Sequence, residues 1–333
     1  NYNGMKYLPG CMASLCQGQE NAPEYEVLII DNGSADGSVE YLDSEWCHKK
    51  EAPAEEGGKP QVRLIALPEN TGFCHAVNLG IREARSPYVI LLNNDTRVEA
   101  GFVKGLYDAI RKDEKIFSVS AKMLMWDKPE LLDDAGDRYC VLGWAYSRGK
   151  GRPAVDYDKN VSIFSACGGA AIYRRQVFEE IGYFDEAHFA YLEDIDVGYR
   201  AKIYGYKNVY CPSAMVYHVG SGTSGSRYNS FKVRLAARNN IYLNYKNMPW
   251  PQLLLNALPL GLGILVKYGF FKKIGFGKDY LDGLKEGVKT AKLCKKVKYN
   301  RDHLKHYAAI EWELCTGTLL YIREFLARQA AKR

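Results

Sequence analysis

Apolar residues recur along the first hundred positions in two alternating rhythms. Leu8, Met12, Leu15 and Cys16 fall on one helical face and predict a helix over residues 5–16. Short, β-branched runs bounded by turn residues, Val27–Ile30 and residues 62–67, predict buried strands. A helix is expected over Val39–Trp46, and a loop over the polar, Pro/Gly-rich residues 47–60. From Gly72, the residues Phe73, Val77 and Ile81 keep helical register, and Tyr88–Leu92 reads as the next strand. Helix and strand alternate at spacings that suit βαβ units. The expected fold class is therefore α/β: a mostly parallel, mixed, twisted sheet with flanking helices on both faces. Ligands of such sheets sit beyond the carboxyl ends of the strands. Asp31 and Asp95 each end a predicted strand and are expected to share one rim.

Residues 102–112 read as a helix, and the following fifty, through "GWAYSRGKGRP", as an irregular, mobile loop. "GGAAIYRRQVFEEIGYFDE" carries a strand and a helix, and "YLEDIDVGYRAKIYGY" an amphipathic helix opening on acids. "KNVYCPSAMVYHVGS" reads as a strand pair. From about residue 228 the chain is helical and increasingly basic, so residues 1–227 and 228–333 are expected to form two regions. "NYNG" at residues 1–4 reads as the end of a strand whose body is missing, together with part of any pocket it would line. Leu253–Phe271 holds 19 residues with one charge, Lys267. Spanning a bilayer takes about 20 apolar residues. Pro259 and three glycines weaken the stretch as a helix. It reads as an element lying in the membrane plane, a true span, or a buried core helix. Trp250 and the Lys-rich run that follows favour an interfacial seat on anionic lipid.

Composition narrows the partners. Of 333 residues, 47% are hydrophobic and 25% charged, ordinary for a folded domain with ample core. The 25 tyrosines suit sugar contacts and membrane interfaces equally. The net charge of +6 is uneven: Lys267 to Lys305 holds twelve Lys/Arg against four Asp/Glu. Lipid or water is the expected neighbour of that block, and no nucleic-acid partner is expected. Nine cysteines without a C-x-x-C pair fit a reducing, cytoplasmic setting with free thiols and no structural zinc.

Several residues could carry chemistry. "DNGSADGS" after a strand is either a plain turn or a nucleotide contact. In the second reading Asp31 accepts hydrogen bonds from a base or ribose, and Gly33 and Asp36 flank the ligand. No G-x-G-x-x-G fingerprint occurs in the opening unit, which argues against a dinucleotide. In "LLNNDTR", Asp95 offers a divalent cation a hard oxygen and Asn93 a neutral one; the bland alternative is a capped turn. Glu193, Asp194 and Asp196 cluster at a helix start, where acids meet the helix dipole favourably or where one of them serves as a general base. "GGAA" at 168–171 is either a tight packing point or a place for substrate to approach. His218 ends a strand; it is a structural histidine or a partner of Asp95 in a metal site, with Arg227 beyond it available for phosphate.

Taken in order, "NYNG", "LIIDNGSADGS", "ENTGFCHAVNLGI", "YVILLNNDTRVE", "GGAAIYRRQVFEEIGYFDE", "FAYLEDIDVGYRAKIYGY" and "VYHVGS" resemble the inverting family 2 glycosyltransferases of GT-A fold, in particular a bacterial rhamnosyltransferase-like branch. The resemblance runs from Asn1 to about Arg227. It implies a transferase moving a sugar, dTDP-rhamnose being the family-level guess for the donor, to a lipid-linked or cell-surface glycan at the inner face of the cell membrane. Asp31 would contact the nucleobase beside Tyr2 and Asn3. Asn70, Gly72, Asn78 and Asn94 would line the nucleotide-sugar pocket, and Gly168 and Gly169 the sugar and acceptor cleft. Asp95, with His218 and Asn93, would hold Mg²⁺ or Mn²⁺ on the diphosphate. Asp194 would be the base, supported by Glu193. The family's common Asp-x-Asp stands here as Asn93-Asn94-Asp95, leaving one carboxylate. A sugar nucleotidyltransferase on a similar sheet is the competing enzyme. It usually needs a Gly/Arg/Lys-rich loop after its first strand, which "NYNGMKYLPG" lacks.

Overall fold

The computed structural model describes residues 1–19, 21–47, 60–220 and 228–330. Most of the loop expected at 47–60, and Arg227, lie outside the described residues. The opening unit holds α1 (Leu8–Cys16), β1 (Glu26–Asp31), α2 (Ser38–Leu42), β2 (Gln61–Ala66) and α3 (Phe73–Glu83). β1 and β2 pair in parallel, from Glu26 opposite Gln61 to Asp31 opposite Ala66. The middle of the chain holds β3 (Tyr88–Leu92), β4 (Thr96–Val98), α4 (Phe102–Ile110), β5 (Ile116–Met125), β6 (Lys128–Asp134), β7 (Asp137–Tyr139), β8 (Ala145–Ser147), β9 (Val161–Ile163), β10 (Ala170–Arg174), α5 (Arg175–Ile181), α6 (Glu193–Ile203) and β11 (Lys207–His218). Five helices close it: α7 (Ser230–Asn247), α8 (Trp250–Leu255), α9 (Ala257–Lys273), α10 (Gly277–Thr290) and α11 (Leu304–Ala330).

The principal sheet runs β3-β10-β5-β11-β4, with β6 added at β5 and β9 at β11. One face is covered by α4, whose Phe102, Val103, Leu106 and Ile110 pack on Val119, Ala121 and Met123 of β5. The other face is covered by α3, α5 and α6, through Cys74, Ile81, Val177, Phe178 and Val197 around Phe117. The expected layering is present, but the sheet is mixed rather than mostly parallel. β5 and β11 are parallel, whereas β3–β10, β10–β5 and β11–β4 are antiparallel. Between β5 and β10 the chain makes only short strands and a 3-10 turn. Without a helical crossover, β10 returns in the opposite direction.

Three further expectations are corrected. The stretch after residue 112 is no irregular loop: it contains β5, the sheet's central strand. Its inward faces include Ser118, Ser120 and Lys122, all buried, which broke the apolar pattern. The Ser118 hydroxyl is satisfied by donating to Asn208 Oδ1 at 2.8 Å. Residues 207–218 are one strand rather than a pair, with a register shift between Cys211 and Met215 where Pro212 interrupts the ladder. The apolar stretch at 253–271 is divided between α8 and α9 at Asn256, whose amide donates to Gln252 O at 3.0 Å and Glu311 Oε2 at 2.9 Å. Among the described residues, no helix is long and apolar enough to cross a membrane.

A buried ion network joins α6 to α7. Asp196, fully buried, accepts from Arg200 at 2.9 Å, Lys246 at 3.0 Å and Asn247 at 2.7 Å. Arg200 also donates to Ile181 O and Tyr183 O, and Lys246 reaches Asp185 at 2.7 Å. Burial disfavours charge on Asp196, but Arg200 and Lys246 outweigh it and hold the carboxyl well below its ordinary value of 3.8. Its stabilising effect is therefore full above that unfolded value and is lost as pH falls below it. Asp196→Ala leaves the buried Arg200 guanidinium without its carboxylate and Lys246 with Asp185 alone, and is expected to cost about 3–5 kcal/mol in urea denaturation at neutral pH. The deficit should shrink in acid, as the wild type loses the same interaction.

Candidate active site

The end of β3 and the end of β11 meet at one rim. His218 pairs with Thr96 across the ladder, and Val219 N donates to Asp95 O at 3.1 Å. This places His218 Nε2 3.3 Å from Asp95 Oδ1. On its other side, His218 Nδ1 lies 2.8 Å from Asp133 Oδ2, delivered by β6. Lys150 pairs with the second oxygen of Asp133. Burial opposes charge on His218, but the hydrogen bonds and charges of Asp133 and Asp95 overcome it and raise its pKa to about 9. A carboxylate and an imidazole fixed through its far nitrogen form a donor set that suits a divalent cation of the Mn²⁺ type. Asp95 and His218 therefore fit the group expected of them, and a cation there would replace the proton between them. Asn93 is turned toward Gly169, whose added Cβ would meet the Asn93 amide at 3.2 Å.

The opening loop folds over the end of β1. Asp31 is fully buried; it accepts from Asn1 Nδ2 at 2.7 Å and from Ser34 N at 2.9 Å. Asn1 Oδ1 in turn accepts from the Asn94 amide, so the loop bridges the ends of β1 and β3. Asn3 N donates to Ser34 Oγ, and Asn3 Oδ1 accepts from Ala35 N. Asp36 caps α2 through Ser38 and accepts from Met5 N. Tyr2 sits half-buried in the same loop. Asn32 reaches across to the segment before α3, donating to Asn70 Oδ1 and accepting from Thr71 N at 2.9 Å. Gly33 and Gly72 have φ of +76° and +89°. A side chain at Gly33 would strike the Glu69 backbone, and one at Gly72 the Phe189 ring.

Asp194 stands in the first turn of α6, half-buried. It accepts from Ile195 N at 2.7 Å and from the Gly168 N–H. Burial raises its pKa against those hydrogen bonds. Ligand atoms of Asp137, Cys167 and Asp194 lie within 4.8 Å of one another. Glu193 is 9% exposed, and its Oε2 has no partner among the described residues. Burial, then the charge of Asp194, raises Glu193 to about 8 and so favours its neutral form.

The backbone leading into Asp194 is strained: Phe189, Tyr191 and Leu192 have φ of 63°, 71° and 66°. Each such residue costs of order 1–3 kcal/mol and must be held. Asn239 of α7 holds them, its amide donating to His188 O, Ala190 O and Tyr191 O at 2.8–2.9 Å. Arg238 adds bonds to Ala187 O and His188 O.

Most of the residues singled out in the sequence thus lie along a continuous run of contacts: Asp31–Asn1–Asn94, Asp95–His218, Asn93–Gly169 and Gly168–Asp194. Asn78 departs from it. The residue is buried, and its side chain is bonded to Phe184 N, Phe184 O and Glu186 Oε1, so it braces the turn before α6 instead of lining a pocket. Asp196 belongs to the structural network. Asn32, Asp133, Asp137 and Asn239 were not singled out. Each is polar and buried in the structure, but in sequence each sits in an ordinary polar stretch.

The family model described as Glycosyl transferase family 2 matches residues 1–182. The chain is 29% identical over 252 residues to an N-acetylglucosaminyl-diphospho-decaprenol L-rhamnosyltransferase of Mycobacterium tuberculosis, covering 67% of this chain and 75% of the relative. Its fold is similar to that of Staphylococcus aureus TarS 1-349 in complex with UDP-GlcNAc, at TM-score 0.55 and 16% identity over 87% of this chain and 79% of the other. It is also similar to the mannosyltransferase PcManGT of Pyrobaculum calidifontis in complex with GDP-Man and Mn²⁺, at TM-score 0.53 and 14% identity over 99% and 82%. The architecture is thus the α/β GT-A type.

Asp133 holds the far nitrogen of His218 and would orient the imidazole toward a cation beside Asp95. Asp133→Asn is expected to weaken Mn²⁺ binding, read by titration calorimetry, by about 10–100-fold. Unchanged affinity would mean that His218 does not ligate.

Proposed function

Because the chain belongs to glycosyl transferase family 2, we propose that it moves a sugar from a nucleoside-diphosphate sugar to a hydroxyl of a lipid-linked or cell-surface glycan, with inversion. The observation that carries this reading is the junction of Asn93 N with Gly169 O at 2.9 Å beside the bond from Gly168 N–H to Asp194. It joins the cation-binding strand end to the candidate base through two adjacent glycines. The likeness to the rhamnosyltransferase favours rhamnose as the sugar and a diphospho-polyprenol glycan as acceptor, and the family resemblance of the sequence motifs favours a dTDP donor.

Asp194 accepts the proton of the acceptor hydroxyl. The freed electron pair forms the new bond to the anomeric carbon, and the bond to the diphosphate breaks on the opposite side. The transition state is oxocarbenium-like, as in glycoside hydrolysis. Asp95 and His218 would hold Mg²⁺ or Mn²⁺, with Asn93 and Asn94 beside them; when bound, the ion neutralises charge on the departing diphosphate. Asp31 braces the loop that carries Tyr2 and Asn3 toward the nucleotide. Gly72 and Asn70 set the other wall, with Gly33 packed against it. Gly168 and Gly169 leave room for sugar and acceptor.

Residues 1–227 form the catalytic region in this reading, and 228–333 the helical region that places it on the inner membrane face. Supporting this is an apolar exposure on α8 and α9: Trp250 is 72% exposed, Leu254 70%, Leu258 87% and Leu265 67%. Leu262 adds to it, and Lys272, Lys273 and Lys278 follow closely. An amphipathic surface with flanking lysines suits the interface of an anionic bilayer.

Asp194→Asn should lower transfer by at least about 100-fold while donor binding, read by thermal shift with nucleotide and Mn²⁺, stays intact. Normal transfer would remove Asp194 as base. Wild type should co-sediment with phosphatidylglycerol-containing vesicles and less with phosphatidylcholine alone, and Leu258→Glu/Leu262→Glu should abolish both. Equal sedimentation of the double variant would refute the membrane face.

A further inference from the structure

Asp137 comes from β7, far from Asp194 in sequence, and is 8% exposed. Its backbone is pinned to Ser165: Asp137 N donates to Ser165 O at 2.9 Å, and Phe164 N donates to Asp137 O at 3.1 Å. Ser165 Oγ in turn donates to the backbone carbonyl of Asp194. The strand bearing one carboxyl is therefore tied to the helix turn bearing the other, and carboxylate oxygens of the two lie within 4.8 Å of one another. Other groups facing Asp137 are Asp134, Cys167, Ser147 and Lys150. The ammonium of Lys150 is paired with Asp133, and Ser147 Oγ lies 3.5 Å away. Among the described residues, ion pairs of this region go to Asp133, Asp95 and Asp196, not to Asp137 or Asp194. A buried and a half-buried carboxyl this close, without a cation between them, disfavour double ionisation.

We propose that Asp137 is a positioning residue for the transfer. It keeps a proton and donates it in a hydrogen bond to Asp194, leaving Asp194 ionised and aimed at the acceptor hydroxyl. This rests on Asp194 being the base. The resting proton is not consumed. The acceptor O–H bond breaks, its proton goes to Asp194, its electron pair forms the glycosidic bond, and the diphosphate leaves with the pair of the bond it breaks. Asp137 holds its own proton throughout. Burial, then the charges of Asp134 and Asp194, raises Asp137, and it is the more deeply buried of the two, which favours the neutral form there. A doubly ionised pair would lose the aiming hydrogen bond, so the arrangement fails at alkaline pH.

The test compares Asp137→Asn, whose amide still donates, with Asp137→Ala, whose methyl does not. Infrared difference spectra of wild type minus Asp137→Asn at neutral pH, which need no substrate, should show one protonated-carboxyl band lost in the variant, with the contribution of Glu193 common to both. An unchanged band would overturn the proposal. With dTDP-rhamnose and an N-acetylglucosaminyl-diphospho-lipid, Asp137→Ala should lose kcat about tenfold or more at unchanged donor KM, the scale of a lost charge-assisted hydrogen bond. Asp137→Asn should restore most of kcat and remove the alkaline decline of the wild type. Equal loss in both variants would overturn it. If Asp194→Asn transfers normally, the base assignment falls instead, while the infrared band still reports where the proton resides.

Discussion

A carboxyl taken out of water needs a donor, a cation or a proton, and this sheet's rim buries several within one neighbourhood. Asp31 is satisfied by amide and backbone donors from the opening loop. Asp133 is met by His218 and Lys150, and Asp196 by Arg200 and Lys246. Glu193 is pushed toward its neutral form because burial and Asp194 disfavour its charge. These different solutions separate roles that look alike in the sequence. "EDID" places its acids within the first turn of one helix, yet Asp196 is locked in a structural ion network while Asp194 stays half-buried and reachable.

The helical region takes part in the same site. Three residues before α6 sit at positive φ, a conformation that the local sequence does not favour. Asn239 and Arg238 hold them through five hydrogen bonds to backbone carbonyls. The turn that presents Asp194 is thus shaped by a helix beyond the sheet. The same loop packs Phe189 against Gly72, so the turn before α3 and the turn that presents Asp194 share one support.

Local periodicity carried much of the architecture. Tyr88–Leu92 is a strand with the bounds its apolar run predicts, and Phe73, Val77 and Ile81 mark the inner side of α3. β5 was missed because its serines and lysine are buried among strands that satisfy or cover them. Strand direction was misjudged too, since nothing in a single strand says which way its neighbour will run.

By itself the sequence marked residues whose types and places suit chemistry: the acid after β3, the acid in the first turn of α6, the glycines before β10 and the histidine ending β11. Their types and their places at element ends are local properties, set by turn chemistry and periodicity. Only the tertiary structure decided their partners. Asp133 behind His218, Asp137 beside Asp194 and Asn239 beneath the strained turn each act across more than forty residues of chain. Such pairs form because burial in a packed core forces polar groups from distant segments to satisfy one another, and no spacing along the chain records that demand.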